Sequence, residues 1–310
     1  MTTVHHRYAA VSGQRLFYRE AGPADAPAVV LLHGFPASSF MFRHLIPALA
    51  GRYRVIAPDH LGFGLSDAPP AAASGPEPGG KPGGESAGEF GYTFDALAGL
   101  TAGLLAQIGV RRYALYVQDY GAPVGWRLAL NDPGAVTAII TQNGNGYEAG
   151  LAGEFWRPVR AYWQEQNPGT EAGVRAALTL DAIRWQYLHG VRDESLVSPD
   201  TWQHDYAQVS RPGNDLVQLR LFADYASNLP LYPKLHGYLR ETRVPVLAVW
   251  GRNDEIFVPA GALAFADDAP GAEIHLLDGG HFLLESHLDA VAGLIHPFLE
   301  RNILPGRTAQ

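Results

Sequence analysis

The chain contains no cysteine. Disulfides, thiolate nucleophiles and Cys-ligated zinc are excluded, so any covalent chemistry must use an oxygen or nitrogen nucleophile. It also lacks any run of Lys or Arg, and acidic residues outnumber basic ones by 31 to 23. Nothing is present to neutralise phosphates or to hold an anionic lipid surface, so neither nucleic acid nor membrane is an expected partner. No apolar stretch reaches the roughly 18 residues of a membrane span. The start "MTTVHHRYAA" lacks the charged region and apolar segment of an export signal, which makes the cytoplasm the expected location. Twelve histidines occur, but no HExxH or comparable paired spacing, so no metal and no other cofactor is expected. His5 and His6 are expected in a mobile terminus.

What is there suffices for a large core: 310 residues, 47% of them hydrophobic and 11% aromatic. The runs "RLFYRE" (15–20), "AVVLL" (28–32) and "YRVIAP" (53–58) read as strands, with a helix-compatible stretch at 40–50. After Pro69 comes "PPAAASGPEPGGKPGGESAGEFG", too poor in apolar residues to offset its ordering entropy, and 69–90 is expected to be a flexible surface insertion. Helix 93–108, strand 113–118, helix 122–131 and strand 136–141 then alternate, which predicts an α/β fold with a parallel sheet covered on both faces. From 144 to about 235 the segments are helix-like and rich in Trp and Tyr, with no clear strand. Strand 244–250, helix 259–267, strand 272–278 and a final helix at 286–303 close the chain.

In such sheets ligands bind beyond the carboxyl ends of the strands. Four loops there carry polar residues: "HGFP" from His33, Asp119 in "VQDYG", Asp254 in "GRNDEIF" and His281 in "GGHF". An acid, a second acid and a histidine, each just past a strand, reproduce the Ser-Asp-His order of nucleophile-elbow enzymes with aspartate in the serine place. Each also has a plainer reading. Asp119 is a suitable helix N-cap before 122–131, His281 could be an ordinary turn histidine, and Glu255 stands one place from Asp254 as an alternative acid. Asp59 in "APDHLGFGLSD" reads as a structural loop residue beside the Gly62 and Gly64 turns.

With "HGFP", "RVIAPDHLGFGLSD", "VQDYG", "GRND" and "GGHF" in this order, the chain resembles the α/β-hydrolase fold family, in its aspartate-nucleophile branch of epoxide hydrolases and haloalkane dehalogenases. The resemblance covers nearly the whole chain. It implies a mostly parallel sheet flanked by helices, a core over 1–143 and 236–310, and 144–235 as a helical cap inserted after the sixth strand. It also implies that the backbone N–H groups of Phe35 and Tyr120 form an oxyanion site and that His33 braces the loop beside it.

The residue types suit chemistry at a saturated carbon. A carboxylate leaves too easily after attacking an amide or ester, but at an sp³ carbon it displaces a leaving group and forms a stable ester. His281, oriented by Asp254, would then activate water to hydrolyse that ester.

The leaving group is less clear. Haloalkane dehalogenases supply a Trp N–H directly after the nucleophile and a second donor from the cap or from the position after His-Gly; the residue after the nucleophile is Tyr120 here and the residue after His-Gly is Phe35. Fluoroacetate dehalogenases place arginines one and four residues after the nucleophile, where this chain has Tyr120 and Pro123, so a carboxylate substrate is disfavoured. "LFADYASN" sets Tyr225 where epoxide hydrolases carry a ring-opening tyrosine, and "RAYWQEQNPG" makes Tyr162 the nearest candidate for their other one. Trp163 would instead suit a halide. The expected partners are a small apolar organic substrate, preferably an epoxide, and water; a haloalkane, an ester or lactone, or a non-catalytic receptor role are the alternatives, and a homodimer stays open.

Overall fold

The computed structural model describes residues 2–72 and 89–303. Eight strands form one sheet in the order β1-β2-β4-β3-β5-β6-β7-β8. They are β1 (His5–Val11), β2 (Gln14–Ala21), β3 (Ala28–Leu32), β4 (Arg54–Pro58), β5 (Tyr113–Val117), β6 (Val136–Gln142), β7 (Val246–Gly251) and β8 (Glu273–Leu277). β1–β2 and β2–β4 are antiparallel and every other pairing is parallel. Successive side chains of a strand point to opposite faces, yet all five residues of β3 and of β5 are buried. Both faces must therefore be covered, as the uninterrupted apolar runs predict.

Helices do the covering. α1 (Leu45–Leu49) follows β3, α2 (Phe94–Gln107) follows β4, and α3 (Gly121–Asn131) follows β5. Thr93 caps α2, accepting from Ala96 N at 3.1 Å and so satisfying one of the unpaired donors of the first turn. Between β6 and β7 come α4 (Trp156–Gln164), α5 (Pro168–Arg175), α6 (Leu180–Leu188), α7 (Pro199–Val209), α8 (Asn214–Asp224) and α9 (Tyr232–Thr242). α10 (Ala260–Leu263) and α11 (Phe265–Asp268) follow β7, and α12 (Leu283–Ser286) and α13 (Leu288–Asn302) follow β8. The helical segment thus follows the sixth strand. Among the described residues no helix is long and apolar enough to cross a membrane.

Several expectations need correction. His5 and His6 are not in a loose terminus: they pair with Glu20 and Arg19 as the start of edge strand β1. Edge strands need no continuous apolar run, so this one left little trace in the sequence. The stretches 40–50 and 259–267 are each broken into two shorter helices, while the final helix runs as expected, from 288 to 302. α9 runs through 235, so the expected boundary between 235 and 236 falls inside a helix. Of the expected insertion at 69–90, residues 73–88 lie outside the described residues. Its two ends are pinned to each other, Phe90 N donating to Pro70 O at 2.9 Å and Ala72 N to Phe90 O at 3.1 Å.

Candidate active site

Asp119 stands between the end of β5 and the start of α3 with φ +47°. A non-glycine residue in this left-handed region stores roughly 1 kcal/mol or more of strain and must be held there by its surroundings. Its N–H donates to Asn143 O at 3.3 Å, and its carbonyl accepts from Ala122 N at 2.9 Å. Gly121 lies so close to the Leu32 carbonyl that a Cβ there would collide with backbone. The turn is tight because β3 and α3 leave it no other course.

The two carboxylate oxygens of Asp119 have different neighbours. Oδ1 accepts from Phe35 N and from Tyr120 N, both at 2.6 Å. Oδ2 faces His281 Nε2 at 3.8 Å. On the far side of the ring, His281 Nδ1 donates to Asp254 Oδ2 at 2.9 Å. Asp254 Oδ2 also accepts from Asn143 Nδ2 at 2.6 Å, and Oδ1 accepts from Ile256 N at 2.8 Å and Phe257 N at 3.2 Å. With Asp254 acting only as acceptor, the imidazole proton is held on Nδ1 and the Nε2 lone pair is turned towards Asp119. Glu255, the alternative acid, faces His189 instead at 3.1 Å.

All three side chains are buried. Burial pushes the Asp119 carboxyl up to about 6, with His281 and the N–H groups of Phe35 and Tyr120 pulling it back down. Burial pulls His281 down, but Asp254 and Asp119 outweigh it and leave the imidazole above its ordinary value. The buried carboxylate and the imidazole thus each favour the charged form of the other.

The loop carrying the Phe35 N–H is braced from below. His33 Nδ1 donates to Gly34 O and its Nε2 accepts from His60 N, both at 3.0 Å. Burial lowers its pKa to about 4, partly countered by the Gly34 bond, so it serves as a neutral bracket. Asp59 accepts from Ser39 N and Leu65 N at 2.7 Å each and ties two neighbouring loops together.

Above the triad the structure gathers some of the expected aromatic residues and not others. The Tyr225 ring is fully buried, 5.9 Å from the Tyr120 ring and 4.7 Å from Trp156, and its hydroxyl interacts with that of Tyr232 and feels the Asp119 charge. The Tyr120 ring is packed among Phe35, Phe63, Phe94, Phe222 and Tyr225. Tyr162, by contrast, has a hydroxyl whose charged neighbours are Glu171, Arg220 and Arg175, away from the triad. Trp163 stacks on Tyr225, but its indole N–H donates to Phe222 O at 2.7 Å. It is not free to meet a leaving group.

Compared with known proteins, residues 27–288 match the alpha/beta hydrolase fold family. The chain belongs to that family. An uncharacterized hydrolase of Saccharomyces cerevisiae is 40% identical over 290 residues, 93% of this α/β-hydrolase and 94% of the yeast protein. A cis-3-alkyl-4-alkyloxetan-2-one decarboxylase of Xanthomonas campestris is 27% identical, covering 94% of each chain. Epoxide hydrolase 3 of Mus musculus is 24% identical over 93% of this chain and 75% of its own. Among solved structures, haloalkane dehalogenase DbeA from Bradyrhizobium elkani superposes with a TM-score of 0.71 at 25% identity, over 96% of this chain and 99% of that one.

Two further parts of this α/β-hydrolase site escaped sequence reasoning. Asn143, also left-handed at φ +49°, touches both acids, through its carbonyl to Asp119 N and through its amide to Asp254. It lies just past β6, as Asp119 lies just past β5, so the same strand-end rule points to it once neutral amides are admitted. Gln118 and Gln142, at the ends of the same two strands, bond His281 as well: Gln118 Nε2 lies 2.8 Å from His281 Nε2, and Gln142 Nε2 donates to His281 O at 2.9 Å.

Proposed function

We propose that this α/β-hydrolase acts at an sp³ carbon through a covalent alkyl ester on Asp119, and that its substrate is a small apolar epoxide opened to a diol. One observation carries the reading: the carboxylate has one oxygen held by two backbone N–H groups and the other directed to His281. Oδ2 attacks the carbon and the ring C–O bond breaks. Oδ1 becomes the ester carbonyl, already seated where an oxyanion forms in the next step.

Ester formation removes the Asp119 charge, and with it one of the two anions that hold the His281 pKa up. The imidazole pKa falls once the first step is complete, which favours the neutral imidazole, the form that can accept a proton. It takes a proton from water, and attack at Cγ returns the carboxylate and releases the diol. In this reading 144–235 works as a cap whose aromatic residues line an apolar substrate space.

An epoxide opening to an alkoxide needs a proton, whereas a halide needs only donors. The indole N–H groups of Trp126, Trp156, Trp163 and Trp250 are each donated to a backbone carbonyl. No such donor is left over among these four, whereas the buried Tyr225 hydroxyl, which feels the Asp119 charge, is an acid able to supply that proton. This supports the epoxide over the halide.

The test compares products from epoxides, haloalkanes and an oxetan-2-one. Diol formation that falls by about 100-fold in Tyr225→Phe is expected, the usual scale for losing a general acid. Halide release without diol would transfer the reading to dehalogenation, and carbon dioxide from the oxetan-2-one alone would transfer it to lactone chemistry.

A further inference from the structure

Gln118 is the residue before the nucleophile, fully buried, and its amide has no part in the steps above. Its Nε2 lies 2.8 Å from His281 Nε2. In the neutral imidazole, with Asp254 holding the ring proton on Nδ1, the facing Nε2 carries a lone pair and the Gln118 amide N–H donates to it. The other end of the amide is the informative one: Oε1 is buried and meets no hydrogen-bond partner among the described residues. A buried carbonyl without a donor costs free energy and calls for an explanation. Among the described residues the two charged groups facing His281, Asp119 and Asp254, are acceptors and leave this carbonyl unserved, which suits it to a donor from solvent.

Building on the covalent reading, we propose that Gln118 positions the hydrolytic water. In the resting protein its N–H occupies the base. Once Asp119 is esterified, the amide turns and Oε1 accepts one hydrogen bond from a water whose other proton faces His281 Nε2. His281 then takes that proton while the water oxygen bonds to Asp119 Cγ, and the negative charge collects on Oδ1 between the N–H groups of Phe35 and Tyr120. Collapse breaks the Cγ–Oδ2 bond. The departing alcohol oxygen takes the proton back from His281, and the second water proton, left on the Asp119 acid, returns to the tyrosinate that Tyr225 became on ring opening, which restores the carboxylate. Two points fix the water, one at each proton, which is what attack on a single carbon requires.

Rapid-quench kinetics with styrene oxide, or whichever epoxide the wild type turns over, separates the two half-reactions. Gln118→Met matches the shape without the amide. Its ester should form within about threefold of the wild-type rate, hydrolyse at least about tenfold more slowly, and accumulate on Asp119. Gln118→Asn keeps the amide but withdraws it by one methylene, and should show the same selective loss; it serves if the Met variant does not fold. Wild-type hydrolysis in either folded variant overturns the proposal. Equal loss of both half-reactions overturns it too, since that is the mark of a structural role. Absence of any ester in His281→Ala would instead remove the covalent reading itself, a result independent of Gln118.

Discussion

Replacing Asp119 by Asn should abolish turnover and stabilise the protein, and the second effect can be worked out in advance. The wild-type carboxyl is fully buried and its pKa is pushed from 3.8 to about 6, chiefly by desolvation. A folded-state pKa raised above the unfolded one means that the folded protein holds its proton more tightly. Below about pH 3 the carboxyl is protonated in both states and carries no penalty; above about pH 7 it is ionised in both, and the buried charge costs about 3 kcal/mol. Asparagine has no such charge and still accepts from Phe35 N and Tyr120 N. The variant's advantage should therefore be small at pH 4, about 0.5 kcal/mol, grow steeply between pH 4 and 6, and level off above about pH 7. For a chain of this length the plateau corresponds to a rise in Tm of about 5 °C. Differential scanning calorimetry of both proteins at pH 4 and pH 8 measures it. A Tm difference that is equal at both pH values, or a variant less stable at pH 8, would refute the reasoning.

Two other substitutions probe the geometry. Gly34→Ala puts a Cβ into the space of the Asp119 side chain; the displaced carboxylate should lower kcat/KM by about 100-fold, the scale expected for a misplacement near 1 Å, with little change in circular dichroism. Trp163→Phe keeps the ring stack on Tyr225 and removes only an N–H already donated to Phe222 O. Its kcat/KM should stay within about threefold of wild type, equivalent to less than about 0.7 kcal/mol of barrier, and a loss of about 100-fold would return Trp163 to the site.

The frame of the fold was legible because buried parallel strands announce themselves as short apolar runs, and because Asp119, Asp254 and His281 each fall just past one. Other features leave no mark of that kind. The left-handed turn at Asp119 has no glycine at its apex; it is imposed by contacts with Asn143 and with the Leu32 carbonyl behind Gly121. Trp163 looked like a donor because an indole N–H is one, and its engagement by Phe222, 59 residues away, depends on how α4 and α8 pack. Tyr162 and Tyr225 have the same chemistry in sequence, yet one is set among charged residues and the other among rings that include Tyr120. Gln118 and Asn143 left no such mark because an uncharged amide carries no titration signature, although Gln118 bonds His281 and Asn143 bonds both acids.

The covalent ester on Asp119 is the central claim, and mass spectrometry of His281→Ala tests it most directly. Without the base the second step stalls. After exposure to a panel of epoxides and haloalkanes, the peptide containing Asp119 should gain the mass of the opened epoxide or the transferred alkyl group. An unmodified Asp119 across a panel that the wild type turns over would contradict the account.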